Sequence, residues 1–85
     1  MPNELEIRAL AREALRAGKL PRSDPDRTWG GPGADLPCTI CGVRITANTT
    51  EYELQFKRMD VTALDRFHLH LRCFAAWEME RTKRA

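Results

Sequence analysis

Aromatic residues, cysteines and long apolar runs are all scarce in this chain of 85 residues. With three Phe, one Tyr and two Trp, a large self-supporting core is not expected, and domains of this size often rely on a metal, a disulfide or a partner. No stretch approaches the roughly 18 consecutive apolar residues of a membrane span. The N-terminal segment is charged throughout and lacks the apolar region of a secretory signal. We therefore expect one small cytoplasmic domain.

The cysteine count and the net charge limit the kinds of function that the sequence allows. Three cysteines cannot all form disulfides, and in the reduced cytoplasm closely spaced cysteines favour metal binding. The net charge of +2 is ordinary for a soluble domain. The basic stretch ERTKRA at the C-terminus is only a weak indication of nucleic-acid contact.

Composition divides the chain into three segments. Residues 1–19 predict an amphipathic helix, because Asn3 is a good N-cap, Glu6 follows at the capping-box distance and Gly18 suits a helix end. The apolar positions of that helix recur at helical spacing; they are Ile7, Leu10, Ala11, Ala14 and Leu15. Residues 20–37 hold four of the five prolines and three of the five glycines, which predicts an irregular linker. Residues 38–85 carry every cysteine and histidine and are the predicted zinc-binding domain.

Basic residues near both ends of the chain are candidate contacts for a partner. Arg8, Arg12 and Arg16 recur at i, i+4 spacing along the first helix, and Lys83 and Arg84 lie in the C-terminal tail. Such a set can contact phosphates or an acidic protein. A solvated helix face, supported by nearby glutamates, is the commoner interpretation of this pattern.

Three aromatic residues can be either core or contact residues. Trp29 lies in RTWGGPG, and a lone Trp in a Gly/Pro loop usually anchors the loop to a small core, although it can also contact a base or a peptide. Phe74 and Trp77, spaced i, i+3, are expected to pack inside the domain rather than to stack on bases.

Period-2 alternation predicts strands after residue 43. In EYELQF the apolar residues alternate with Glu51, Glu53 and a glutamine, as in a half-buried strand. The two glutamates share one face, which we interpret as solvated rather than as an acid–base pair. FHLH predicts the end of another strand, and residues from 71 to about 83 predict a helix.

The strongest chemical signal is C-x-x-C followed by H-x-x-C. Cys38 and Cys41, with Gly42 after them, can form a knuckle in which both sulfurs face one point. His70 and Cys73 are spaced i, i+3 and fall on one side of a helical turn. His68 also lies close, and strand geometry alone does not exclude it. We favour His70 as the ligand, which leaves His68 as a residue that supports the site, as a surface residue or as a partly buried hydrogen-bonding histidine.

The cysteines also allow two roles besides metal binding. They can be small buried hydrophobic residues, or Cys38 and Cys41 can form a redox pair of the thioredoxin type. The βαβ surroundings of a thioredoxin motif are missing from this sequence. The short spacing of both pairs in one reduced chain makes metal binding the favoured role.

This arrangement of ligands resembles the treble-clef zinc fingers, including the half-sites of LIM domains, from residue 37 to about residue 81. The resemblance implies a knuckle, a β-hairpin and a C-terminal helix around one structural Zn²⁺ held by Cys38, Cys41, His70 and Cys73. The chain is also similar to small uncharacterised bacterial zinc-finger proteins. A LIM function does not carry over, because the sequence holds only one four-ligand set and the interval from Cys41 to His70 is longer than in LIM domains.

The predicted function is a non-catalytic zinc-binding module in a small α+β protein. Three thiolates and one imidazole close a tetrahedral shell, whereas catalytic zinc usually keeps an open position. The expected partner is a macromolecule, with nucleic acid slightly favoured, and the alternative is a protein adaptor that acts through the first helix. A third hypothesis is an HNH-type nuclease in which His68, with Asp65 nearby, activates water.

Overall fold

The computed structural model describes residues 2–58 and 63–83, which form a small α+β protein with two helices and antiparallel strands. In chain order the elements are α1 Glu4–Arg16, β1 Arg27–Pro32, β2 Leu36–Pro37, β3 Arg44–Ile45, β4 Thr50–Lys57, β5 Leu64–His70 and α2 Leu71–Arg81. The predicted α+β class is confirmed. Neither helix in these two ranges has the length and apolar character needed to cross a membrane.

Helix α1 begins at the predicted capping box. The Asn3 side chain accepts a hydrogen bond from the Glu6 backbone N–H at 2.9 Å, and Glu6 caps the Asn3 N–H in return. The helix ends before Gly18, whose φ of +75° suits glycine. Its apolar face packs against α2 and buries Ile7, Ala11, Ala14 and Leu15. Leu10, which the sequence placed on that face, is 36% exposed.

A three-stranded antiparallel sheet in the order β1-β4-β5 lies beside the helices. Side chains alternate between its two faces. The inner face carries Leu54, Phe56 and Leu69 into the core. On the outer face the register sets Glu53 opposite His68, so the predicted strands bring the glutamates of β4 next to the histidines of β5.

The segment from residue 20 to residue 37 is not the irregular linker that its composition predicted. Arg27–Pro32 forms the edge strand β1, with Trp29 opposite Glu53 on β4. Proline is tolerated at a sheet edge, and glycine weakens the period-2 signal without preventing backbone pairing. The expectation that Trp29 anchors the core is also wrong. Trp29 points to the outer face, is 50% exposed and lies under the Arg27 guanidinium at 4.7 Å.

Helix α2 supplies the largest buried side chain, as expected for Phe74 and Trp77. Trp77 is fully buried, and its indole N–H donates to the Pro21 carbonyl at 3.0 Å. Phe74 is partly buried and stacks on Tyr52, with ring centroids 4.6 Å apart. The core therefore lies between α1, α2 and the inner face of the sheet. The Pro21 contact fixes the start of the proline-rich segment to α2.

Candidate metal centre

The loop between β2 and β3 folds into a tight turn around Cys38 and Cys41. The Cys38 N–H donates to the Val43 carbonyl and the Gly42 N–H donates to the Cys38 carbonyl, both at 2.9 Å. Gly42 has a φ of +77°, a conformation that residues with a Cβ rarely adopt. The sequence C-T-I-C-G thus closes a knuckle that turns both thiols toward the start of α2.

The other two candidate ligands come from the junction of β5 and α2. His70 is the last residue of β5 and the N-cap of α2, and Cys73 lies in the first helical turn. The Nδ1 atom of His70 lies 3.3 Å from the Sγ atom of Cys41. One ligand atom from each of Cys38, Cys41, His70 and Cys73 lies within 4.8 Å of all the others. The structure therefore brings together the four residues that the sequence selected.

The three thiols influence each other strongly. A hydrogen bond from Cys73 lowers the pKa of Cys38 to about 4 against the effect of burial, with further help from backbone N–H groups such as that of Cys41. The same contact with Cys38, together with burial, raises the pKa of Cys73, and burial raises the pKa of Cys41. Three thiols this close do not all ionise by themselves. A bound dication would allow all three to become thiolates.

The donor set fits a tetrahedral zinc site. Zinc–sulfur and zinc–nitrogen bonds of about 2.3 and 2.0 Å place neighbouring ligand atoms roughly 3.5–3.8 Å apart. The 3.3 Å between Cys41 Sγ and His70 Nδ1 is close to that value. Cys38, His70 and Cys73 are buried and Cys41 is partly exposed. Thiolate-rich sets of this kind favour zinc over magnesium or calcium, which prefer oxygen ligands.

Three thiolates around one dication would leave such a site with a net negative charge. Arg44 and Arg72 are near the four ligands in sequence and could offset that charge. Arg44 instead pairs with Asp35 at 3.4 Å, and Arg72 pairs with Glu4 at 3.1 Å. Backbone hydrogen bonds, such as those from Cys41 to Cys38 and from Val43 to Cys41, also favour the thiolate form of these two cysteines.

His68 belongs to a different cluster from His70. Its Nδ1 lies 2.9 Å from Glu51 Oε2 and 3.8 Å from Glu53 Oε1. Glu51 is only 7% exposed, so the interpretation of the glutamate face as simply solvated is wrong for this residue. His68 contacts the knuckle through its backbone, where its carbonyl accepts from the Thr39 N–H at 2.9 Å.

Most of the predicted contact arginines are held by carboxylates of the chain itself. Arg8 and Arg12 reach Glu80 Oε2 at 2.9 and 3.5 Å, and Lys83 reaches the same atom at 3.1 Å. Arg16 pairs with Glu13 at 2.6 Å. Arg84 lies outside the described residues. The basic stripe of α1 is therefore largely neutralised within the protein.

Burial raises the pKa of Glu80, but Lys83, Arg8 and Arg12 together outweigh burial and hold it below the ordinary glutamate value. Sequence reasoning did not single out this residue. A signal existed, because Glu80 follows Trp77 by three positions and so continues the buried face of α2. The buried role of Glu51 had no comparable signal, since it depends on β1 and the following loop covering one end of the sheet.

Comparisons with models of protein families, with curated protein sequences and with solved structures found no match to this chain.

Proposed function

We propose that this protein is a non-catalytic zinc-binding module in which one Zn²⁺ stabilises a treble-clef-like fold that binds a macromolecular partner. The observation that carries this proposal is the convergence of Cys38, Cys41, His70 and Cys73 within 4.8 Å. The order of knuckle, β-hairpin and helix along the chain supports the treble-clef comparison.

Zinc would connect the knuckle and its two short strands, which are not expected to be stable on their own, to the rest of the fold. β2 and β3 are two residues long each, far shorter than a strand pair that is stable alone. A metal bound to Cys38 and Cys41 from this loop, and to His70 and Cys73 from the β5–α2 junction, would tie the loop to the core through metal–ligand bonds. Structural zinc contributes about 10 kcal/mol or more in small finger peptides.

Four protein ligands fill every coordination position of a tetrahedral ion, so no position is left for a water molecule. This favours a structural role over hydrolysis at this zinc. The HNH-type alternative paired His68 with Asp65. These residues are three apart on β5, so their side chains point to opposite faces, and Asp65 lies 3.9 Å from Arg58 instead. That catalytic pairing is not supported by the geometry.

Metal content of purified variants tests the proposal. After removal of weakly bound metal with a chelating resin, the wild type should retain one zinc per chain. His70→Ala should lose it, while the matched variant His68→Ala should keep it. Equal retention in both variants, or a metal-free wild type after expression with excess zinc, would contradict the proposed ligand set.

For the partner, nucleic acid is the class we propose, on a surface different from the arginine stripe. Trp29 is 50% exposed on the edge strand with the Arg27 guanidinium over its ring. An exposed aromatic residue beside a cation is the combination on which single-stranded bases stack. Binding to generic single-stranded RNA and DNA should weaken steeply with salt and should weaken further in Trp29→Ala. Absence of binding at low salt would refute this partner class.

A protein partner on α1 is the second candidate. Leu5 is 78% exposed and Leu10 is 36% exposed on this helix, whereas the rest of its apolar face is buried against α2. Two separated leucines offer less apolar area than a typical stable interface requires. Nucleic acid therefore stays the first class to test.

A further inference from the structure

The outer face of the sheet holds a second cluster of metal-ligating side chains. Glu51 and Glu53 lie two residues apart on β4, and His68 lies opposite Glu53 on β5. One ligand atom from each of the three lies within 4.8 Å of the other two. None of these residues belongs to the proposed zinc shell.

Each carboxylate in this cluster is oriented by a hydrogen bond from outside it. The Ala34 N–H donates to Glu51 Oε1 at 3.2 Å, and the Gln55 side-chain amide donates to Glu53 Oε2 at 2.6 Å. The remaining oxygens, Glu51 Oε2 and Glu53 Oε1, both face His68 Nδ1. Outer donors that fix the free oxygen of a ligand are a regular feature of metal sites.

The distances from His68 Nδ1 to the two carboxylate oxygens are near those between ligands that share one ion. For bonds of about 2.1 Å, adjacent ligands lie about 3.0 Å apart on an octahedron and about 3.4 Å apart on a tetrahedron. The observed separations from His68 Nδ1 are 2.9 Å to Glu51 and 3.8 Å to Glu53. Small side-chain rotations of the partly exposed Glu53 and His68 would therefore complete the site.

The negative charges of the two glutamates also favour the binding of a cation. Two carboxylates converge on one imidazole, and among the described residues His68 is the only ion-pair partner of either. The Glu51 side chain is 9% exposed and that of Glu53 is 24% exposed. Water therefore screens the repulsion between the two carboxylates incompletely. A divalent ion would neutralise both glutamates.

We infer that Glu51, Glu53 and His68 form a second metal site, which binds a divalent transition-metal ion through Glu51 Oε2, Glu53 Oε1 and His68 Nδ1. The imidazole favours a transition metal over magnesium or calcium, which take oxygen ligands. Three protein ligands leave at least one position for water or a ligand, unlike the four-ligand cysteine site. The inference does not depend on the proposed zinc module or on its partner.

Cobalt binding to the zinc-loaded protein tests this site. A closed, thiolate-rich tetrahedral set suits zinc, so the cysteine site should keep its zinc while Co²⁺ probes the glutamates and His68. Equilibrium dialysis followed by elemental analysis should find one cobalt in addition to one zinc. The visible spectrum should show d–d bands without thiolate-to-cobalt charge transfer.

Variants distinguish the proposed ligands from other carboxylates. Glu53→Gln and His68→Gln should each weaken cobalt binding at least tenfold and keep the zinc and the far-ultraviolet circular dichroism spectrum. Asp65→Asn, which alters a carboxylate on the same hairpin, should bind cobalt like the wild type. At about millimolar cobalt, the inference would be overturned if no cobalt bound beyond that held by the cysteine site, or if binding were undiminished in both ligand variants.

Discussion

The contact between α1 and α2 at Glu80 offers a sharp test of what holds the helices together. The Glu80 side chain is 2% exposed, and its Oε2 atom lies 2.9 Å from Arg8, 3.1 Å from Lys83 and 3.5 Å from Arg12. Glu80→Gln keeps the volume of the side chain and removes its charge. We expect the free energy of unfolding to fall, because a buried acceptor then faces cations without neutralising them.

The expected loss in the free energy of unfolding is the difference between the attraction of Glu80 to its cations and the cost of burying its charge. At 3 Å and an effective dielectric constant near 20, one charge pair is worth about 5 kcal/mol before desolvation, and burying the carboxylate cancels several kcal/mol of that gain. Charge-assisted hydrogen bonds contribute about 1.5–3 kcal/mol each in net terms. Lys83 and Arg12 are more than half exposed, so their share is reduced by solvent. We expect a loss of about 2 kcal/mol, or about 10 °C in Tm.

The assay is urea unfolding of the zinc-loaded protein, with Glu13→Gln as the control. Glu13 also pairs with an arginine, Arg16, but both side chains are more than half exposed, so this variant should show no measurable change. A Glu80→Gln protein that is as stable as the Glu13→Gln protein would refute the idea that a buried charge cluster joins the helices.

The pH dependence of the same comparison has a defined sign. The pKa of Glu80 is lowered in the folded protein from the ordinary value of 4.5. Its contribution is therefore fully present above about pH 5 and is lost as the pH falls through the folded pKa. The difference in stability between wild type and Glu80→Gln should shrink below pH 4.5. Acid also protonates the cysteines of the candidate metal site, but it does so in both proteins, so the difference isolates Glu80.

Three further predictions test the knuckle and the edge strand. The Cys41→Ser protein should lose zinc and the tertiary fold around the knuckle but keep the helical circular dichroism signal of α1. The metal-free wild type is the reference for this comparison. Gly33→Ala should unfold at lower temperature by several degrees, because an added Cβ would collide with the Ile45 and Thr46 carbonyl groups; Gly31→Ala, which meets no neighbouring atom, should be nearly neutral. Trp29→Ala should leave the unfolding temperature within about 2 °C of wild type, since surface substitutions change stability little.

The sequence was most informative where local chemistry determines the structure. The capping box at Asn3, the strand over EYELQF and the C-x-x-C-G knuckle each depend on neighbours within about six residues. Each was predicted, and each is present in the structure. The four candidate zinc ligands could be selected because a knuckle and a helical turn each determine the geometry of their own pair.

Long-range packing accounts for the features that the sequence did not reveal. β1 depends on pairing with β4, a distant segment of the chain, as in Arg27 with Gln55, and its glycines and proline weaken the strand pattern in the sequence. Glu80 meets Arg8 across 72 positions. Composition placed β1 in a linker, and helical spacing placed Arg8 on a solvated face. The spacing from Trp77 indicates a buried position for Glu80, but only the packing of the two helices shows that Arg8 pairs with it.

Different interactions would fix the two ends of helix α2, a metal at its start and side-chain packing near its end. This difference determines how the protein should respond to metal loss. Its first turn carries Cys73 and follows His70, so zinc would fix the N-terminal end. Its C-terminal half is fixed by Trp77, which is fully buried, and by Glu80. Because the contact of Arg8 with Glu80 between α1 and α2 uses no zinc ligand, removal of the metal should free the knuckle before it separates the two helices.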